Sequence, residues 1–514
     1  MKKSLFSSFI ALAMLALLTG CGGSGGNSGG GGSSGGGGSA TAASLLSGQY
    51  SFTFSGENAA GPLSIVGSFT ADGKGNISAG VEDVTLVKKA SGTIGTQAAM
   101  TLTGTYTVGT DGRGTMTLNT SSDGAQNFAF VIESNNQGQI IWFDNSATGS
   151  GTFNQQDTTA FTASTVNGSF AFGLNGVDPA LEAYSRVGQF TASSGSVSSG
   201  ETDLNNAFGT GGVNLAQNIS GGSIGAPNST TGRGTLTLTY DTLTVNYIYY
   251  VVSSSTLNVI ESDTHASVYG TATLQSGAPY SAASLTGNYV MNIGGTTTIG
   301  GLAEVGQFTA DGVGTVSGVG DENNAGQPTQ NYTLSGVFAS VTSNGRGTLG
   351  LGFPAASLSF AFYIASSNTV YIMEADTDAT ISGEAMAQTA GPYTTSSLTG
   401  GYGLQFSGVD SNGIEVDFSG QATSSGTGTL SSGTVDTNDE DQQSEPFFFT
   451  GSISGGAYTV TNSTVGRGTI GFNLDSAAFG FAYYFVSPTQ IVLIETDLLG
   501  QTTTGTAQIQ PTIP

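Results

Sequence analysis

Leu46-Ser47-Gly48-Gln49-Tyr50-Ser51-Phe52-Thr53-Phe54-Ser55 is the stretch that decides the fold. Tyr50, Phe52 and Phe54 alternate with Ser51, Thr53 and Ser55. Side chains of an extended strand point to opposite faces in turn, so a period of two marks a strand with one apolar and one polar face. The opening of this stretch returns as Val166-Asn167-Gly168-Ser169-Phe170, Leu285-Thr286-Gly287-Asn288-Tyr289 and Leu398-Thr399-Gly400-Gly401-Tyr402. The intervals between the marker glycines are 120, 119 and 113 residues. A second marker, Gly-Arg-Gly-Thr, begins at Gly112, Gly232, Gly345 and Gly466. A third is a carboxylate closing an apolar run, at Asp144, Glu261, Glu374 and Glu495. Three markers in one order, four times over, define a tandem repeat.

A period this long lets each copy bury its own core. The copies are placed at 44–156, 164–275, 283–389 and 396–510, with polar and Pro-containing stretches between them. In the first copy, strands are expected at 65–71 and 76–84, joined by the hairpin turn Asp72-Gly73-Lys74-Gly75. Others follow at 100–108, 115–119, 127–133, 139–144 and 149–154, about eight in all. Every connection is hairpin-length, and nothing beyond the N-terminus has a helical period. The fold class is therefore all-β, with four antiparallel domains. Closing each meander into an up-and-down barrel removes unpaired edges and is preferred to a sandwich. The Gly-x-aromatic that opens each copy resembles the start of calycin-type barrels, the lipocalins and avidin-like proteins. Tyr or Phe stands here where those families carry Trp, and the repeated arginine lies on the fifth strand rather than near the end.

The N-terminus reads as an export signal. Lys2 and Lys3 precede an apolar run over 5–18 that is short for a membrane span. Leu18-Thr19-Gly20-Cys21 resembles the lipobox of bacterial lipoproteins. The resemblance implies diacylglyceryl transfer to Cys21, removal of residues 1–20 and acylation of the new amine. Gly22, in place of the aspartate that retains such proteins in the inner membrane, implies the outer membrane. Residues 21–43 form a tether, almost pure Gly and Ser over 22–39, with a coil dimension of about 23 Å.

Composition narrows the function classes. The 514 residues include 82 Gly, 11 Pro, 9% aromatic and 9% charged residues, too apolar for a disordered chain. The net charge of −25 becomes −27 without Lys2 and Lys3. Such acidity repels nucleic acid and anionic bilayers, leaving the lipid as the only membrane contact. With one cysteine, Cys21, no disulfide or Cys-based metal cluster forms within the chain. Zinc sites and Ser-His-Asp catalysis would hinge on the single histidine, His265. No cofactor is expected.

Four of the five arginines sit in the Gly-Arg-Gly-Thr marker. Arg113, Arg233, Arg346 and Arg467 are expected to pair with the carboxylate of their own copy, fixing strand register. Alternation puts Arg113 on the outward face with Thr115 and Thr117. Asp72-Gly73-Lys74-Gly75-Asn76 and Asp311-Gly312-Val313-Gly314-Thr315 lack the ligand pattern of a calcium loop and read as turns. The cluster Asp436, Asp439, Glu440, Asp441 and Glu445 reads as a solvated loop. Gly221-Gly222-Ser223-Ile224-Gly225 matches a nucleophile elbow without its strand-to-helix setting. On the sixth strand Tyr250 faces outward, as do Tyr363 and Tyr484, suiting packing between domains or, alternatively, a shallow carbohydrate platform. The linker aromatics Phe161, Tyr280 and Tyr393 are expected to pack between neighbours. Together these features point to a lipid-anchored envelope protein without enzymatic activity, serving adhesion, capture of a carbohydrate or other surface ligand, or a purely structural role as a spacer. The alternative is a glycan hydrolase using the pairs Glu261/Asp263, Glu374/Asp376 and Glu495/Asp497.

Overall fold

The alternating stretch forms the first strand of a closed eight-stranded barrel, and the chain builds four such barrels in tandem, all-β and antiparallel. The computed structural model describes residues 40–513 apart from 123, 135, 355 and 441–445, so Cys21 and the tether lie outside the described residues. Barrel 1 contains Ser47–Asn58, Gly61–Asp72, Asn76–Lys88, Thr93–Val108, Arg113–Thr120, Gly124–Ser134, Gln137–Trp142 and Ala147–Gln155. Each strand pairs with the next, and the first pairs with the eighth, from Tyr50↔Gln155 to Asn58↔Ala147. The strands outrun the apolar patterns that reveal them, because their ends carry exposed polar residues. Barrel 2 runs from Gly168 to Leu274, barrel 3 from Thr286 to Ala387 and barrel 4 from Thr399 to Ile509. Among the described residues, helix is confined to one turn at Ala40–Ala43 and three 3-10 turns in the linkers.

Each barrel has its own core. Tyr50, Phe52 and Phe54 all point inward among Phe69, Met116 and Phe153. The marker aromatic stacks on a second-strand phenylalanine in three barrels: Tyr50 on Phe69 at 5.6 Å, Phe170 on Phe190 at 5.6 Å and Tyr289 on Phe308 at 5.5 Å. Offset stacking of this kind adds about 0.5–1.5 kcal/mol beyond the area buried.

Both glycines of the second marker have a steric reason. The first lies at positive φ in every copy, +79°, +70°, +91° and +72° for Gly112, Gly232, Gly345 and Gly466, where a Cβ is strained. The second lies under an aromatic ring from the sixth strand. A Cβ on Gly114, Gly234, Gly347 or Gly468 would fall 2.4, 2.2, 2.2 or 2.2 Å from the ring of Phe130, Tyr249, Phe362 or Tyr483.

The linker aromatics cap the barrel they lead into and do not lie between neighbours. Phe161 and Tyr280 belong to the cores of barrels 2 and 3, and Tyr393 stacks on Phe485 of barrel 4 at 4.6 Å. Each covers the positive-φ glycine of its own barrel. In barrel 1 that place over Gly112 is taken by Ile513, from the far end of the chain.

The barrels are not beads on a string. The first three strands of one barrel pack on the last three of the next, a head-to-tail contact. Val66 and Val81 of barrel 1 meet Ile248, Tyr250 and Ile260 of barrel 2. Ala171 and Val187 of barrel 2 meet Tyr363, Tyr371 and Met373 of barrel 3. Val290, Ala303 and Val305 of barrel 3 meet Tyr484, Val492 and Ile494 of barrel 4. Tyr250, Tyr363 and Tyr484 are thus packed between domains, as their outward position suggested. A head-to-tail contact either propagates or closes into a ring, and here it closes. The front of barrel 4 meets the back of barrel 1, with Gln405 Nε2 donating to the carbonyl of Ile140 (3.0 Å) and Phe448 meeting Phe143 edge-on at 5.1 Å. The described residues belong to one compact unit.

Candidate functional site

The repeated arginines hold the ring, and their partners are not those expected from sequence. Each reaches out of its barrel to an aspartate on the third strand of the preceding one. Arg233 grips Asp83 through Nε and Nη2, both at 2.7 Å. Arg346 grips Asp203 at 2.8 and 2.6 Å, and Arg467 grips Asp321 at 2.7 and 2.6 Å. Arg113 of barrel 1 closes the cycle on Asp436 of barrel 4, with Nε at 3.1 Å and Nη2 at 2.8 Å. These are two-pronged guanidinium–carboxylate pairs, the strong, geometry-specific kind. In three of them the tyrosine directly across from the arginine also donates to the aspartate: Tyr250 (2.6 Å), Tyr363 (2.6 Å) and Tyr484 (2.5 Å). Burial, and then the adjacent aspartate charge, drive these three phenols well above their usual pKa. Across from Arg113 stands Val131, and the closing clasp takes Thr450 Oγ1 on Asp436 instead (2.6 Å).

The arginines are outward-facing, as alternation requires, but the outside of one barrel is the contact face of its neighbour. Asp436 is a clasp residue and not part of a solvated acidic loop. Asp441 and Glu445 of that cluster lie outside the described residues.

The third marker also resolves differently. Strand register aligns Trp142, not Asp144, with Glu261, Glu374 and Glu495, since these four face Phe128, Tyr247, Phe360 and Phe481. The repeated residue is instead the aspartate two positions on. Asp263, Asp376 and Asp497 accept the amides of Asn246 (2.7 Å), Ser359 (2.5 Å) and Gly480 (2.7 Å), while Asp144 accepts Asn127 Nδ2 (2.9 Å). Burial pulls Asp144 upward, but donors from Ser146, Asn127 and Trp142 outweigh it and leave the group below the usual carboxylate range. The three glutamates are buried inside their barrels. Burial raises Glu261 well above its ordinary value and pushes Glu374 and Glu495 up to about 8.

That burial has a sign. A carboxyl that ionises near 4.5 when unfolded and near 8 when folded keeps its proton preferentially in the native state. Its contribution is intact below about 4.5 and is lost as the pH rises through about 8. Glu374→Gln is therefore expected to lose less stability than the parent between pH 5 and pH 9 in urea unfolding. Equal losses would show that Glu374 titrates normally.

Sequence reasoning missed the aspartates and a set of glutamines. Asp83, Asp203, Asp321 and Asp436 recur at the copy interval, three of them as Asp-x-Asn, so a signal was present. Asn205, Asn323 and Asn438 use it to bind carbonyls of the next barrel, including Glu374 O (3.0 Å), Glu495 O (3.0 Å) and Trp142 O (2.7 Å). One glutamine follows each eighth strand. Gln156, Gln275 and Gln388 donate to sixth-strand carbonyls of the following barrel, at 2.5, 2.7 and 2.7 Å. Gln510 does the same to Ile132 O of barrel 1 (3.1 Å).

With the outer faces committed to the ring, the barrel interiors carry the differences. One inward position of the second strand, set opposite Phe54, Leu174, Ile293 and Phe406, holds Ile65, Arg186, Glu304 and Phe418. Arg186 fills barrel 2, lying 4.1 Å from the Tyr240 ring and donating to Tyr184 Oη (2.9 Å). Glu304 accepts a hydrogen bond from Tyr332 in barrel 3. Phe418 stacks on Phe406 at 4.3 Å in barrel 4. Ile65 leaves space. A cavity of about 390 Å³ opens in barrel 1 between Ile65, Val84, Leu86 and Trp142, with Gln97 and Gln126 as polar groups. Interior cavities in barrels 4 and 2 measure about 30 and 10 Å³. The Trp142 ring is fixed by Nε1, which donates to Asp144 Oδ1 (2.8 Å), and by Phe128 at 5.0 Å. Gln126 Nε2 donates to the buried Glu82 (3.1 Å).

A second cavity of about 640 Å³ lies where all four barrels meet, among Glu57, Lys89, Tyr269, Thr296 and Glu415. Its lysine is ion-paired with Glu57, and Tyr269 Oη bonds Ser55 Oγ (2.9 Å). Four rods packed around an axis leave such a gap.

No protein-family model matches the chain, and no curated protein is similar to it.

Proposed function

We propose that the protein is a non-enzymatic lipoprotein of the bacterial outer membrane that presents a rigid ring of barrels on an acylated Cys21 and captures a small ligand in the cup of barrel 1. The observation that carries the reading is the contrast between a repeated clasp and an unrepeated interior. The arginine–aspartate pair recurs four times, whereas one inward position is Ile65, Arg186, Glu304 or Phe418, and Ile65 adjoins the 390 Å³ cup. That volume falls in the range of small-molecule sites, and its mixture of an indole, aliphatic walls and amides suits a sugar ring or similar amphipathic body. The lipobox resemblance supports the anchor, and the net charge of −25 leaves the lipid as the membrane contact.

Cys21→Ser is expected to move the protein from the membrane to the soluble fraction; retention would remove the anchor. The soluble form then tests the cup, because Trp142 is the only tryptophan. Titration with a glycan panel is expected to shift its emission. Ile65→Phe, which copies the filling of barrel 4, is expected to abolish the shift while leaving the ring intact. No response to any glycan, or binding that survives Ile65→Phe, would refute the cup as the site.

A further inference from the structure

Neither the ring nor the cup uses a group of three side chains at the end of the seventh strand of barrel 2. Glu261 is the last residue of the strand, and Asp263 and His265 lie in the bend that follows it. One donor atom from each, two carboxylate oxygens and an imidazole nitrogen, lie within 4.8 Å of one another. His265 Nδ1 is 2.5 Å from Asp263 Oδ1 and 4.0 Å from Glu261 Oε1.

The competing explanation is that Asp263 is only structural, since its counterparts Asp376 and Asp497 also hold a sixth-strand amide. That task uses Asp263 Oδ2, which accepts the amide of Asn246. Oδ1 is the atom turned to His265. The glutamate is buried, and the histidine ring is partly exposed. Positions matching His265 are Ser146, Asp378 and Leu499, so the imidazole is a feature of this barrel and not of the repeat. Backbone amides hold both carboxylates in place beside the ring, Ala266 N–H donating to Glu261 Oε1 (2.8 Å) and His265 N–H to Asp263 Oδ1 (3.2 Å). A metal ion placed among the three would take the remaining lone pairs of these oxygens and that of the imidazole.

We propose that Glu261, Asp263 and His265 form a binding site for one divalent transition-metal ion, with zinc the best match, at the mouth of barrel 2. One nitrogen and two oxygens suit zinc, and calcium or magnesium would call for oxygen donors throughout. Three protein donors leave a fourth position for water or a ligand. Arg186, Tyr184, Tyr240 and Tyr247 face this corner from inside the barrel. Of these, the guanidinium opposes a second cation and moderates the affinity. The site does not depend on the barrel 1 cup.

The test uses untagged, metal-free full-length protein titrated with zinc chloride by calorimetry at neutral pH. One zinc per chain is expected, with loss of at least about tenfold in affinity in His265→Ala, the order seen when metal-site groups are removed. Because His265 is the only histidine, its imidazole gives a single ring signal in NMR spectra, and zinc is expected to shift it. Absence of zinc binding would overturn the proposal. So would undiminished binding in His265→Ala, an unmoved ring signal on loading, or calcium binding as tightly as zinc.

Discussion

Arg467→Ala is expected to destabilise the protein by about 3–5 kcal/mol in urea unfolding, the cost of breaking a buried ion pair from one side. The side chain of Arg467 is 5% exposed and that of Asp321 is 0% exposed, so the pair is buried. Asp321 would keep Tyr484 Oη and the Asn331 amide (2.9 Å) but no positive charge. Arg113→Ala is expected to cost less, about 1.5–3 kcal/mol, the worth of hydrogen bonds to a charged group. Its side chain is 18% exposed and no tyrosine joins the closing clasp. The paired replacement Arg467→Met with Asp321→Leu is expected to recover most of the loss, because apolar residues fill such a site without an orphaned charge. Equal losses in the single and paired variants would mean that packing volume, rather than the ion pair, carries the contact.

Ending the chain at Ile509, combined with Asp436→Ala, is expected to open the ring between barrels 4 and 1. The other three junctions have a covalent linker and an apolar contact cluster. The fourth is richer in amides, with Gln405, Gln137 and Gln508 side by side, and is fastened by Gln510 and Ile513. Across the seam, removing the tail forfeits two hydrogen bonds and a partly buried isoleucine, on the order of 2–4 kcal/mol, and the substitution removes the clasp as well. Small-angle scattering is expected to show a larger radius of gyration while circular dichroism stays unchanged. An unchanged radius would mean that the remaining contacts suffice to hold the seam.

Much of a single barrel was legible in the sequence. Alternation at Tyr50, Phe52 and Phe54 gave the strand face, hairpin-length connections gave the meander, and removing edges gave closure. The turn at Asp72 is as read, with its carboxylate accepting the amides of Lys74 (2.7 Å) and Asn76 (3.0 Å). The ring was not legible. Its outward residues, such as Val66, Ser64 and Asp83, look like ordinary solvent-side residues of a half-buried strand. Only the sixth strand, apolar on both faces at Tyr247 to Val252, showed that an outer face was covered. The partner of each arginine lies in another copy, and proximity in sequence favours the wrong carboxylate. Whether a head-to-tail contact closes after four copies depends on the angle between barrels, which no residue pattern encodes. The cup was hidden for a related reason, since Ile65 becomes informative only beside Arg186, Glu304 and Phe418 in register.

Joining Gln137 to Gln508 tests the ring most directly. Their side-chain amides touch across the closing seam although they belong to the first and last barrels. With Cys21→Ser removing the only native thiol, Gln137→Cys and Gln508→Cys can be bridged by a short bis-maleimide in dilute solution. A closed ring requires an efficient link within one chain, seen as a faster-migrating band whose digest joins peptides of barrels 1 and 4. Links only between molecules, or none, would place those barrels apart and contradict the ring.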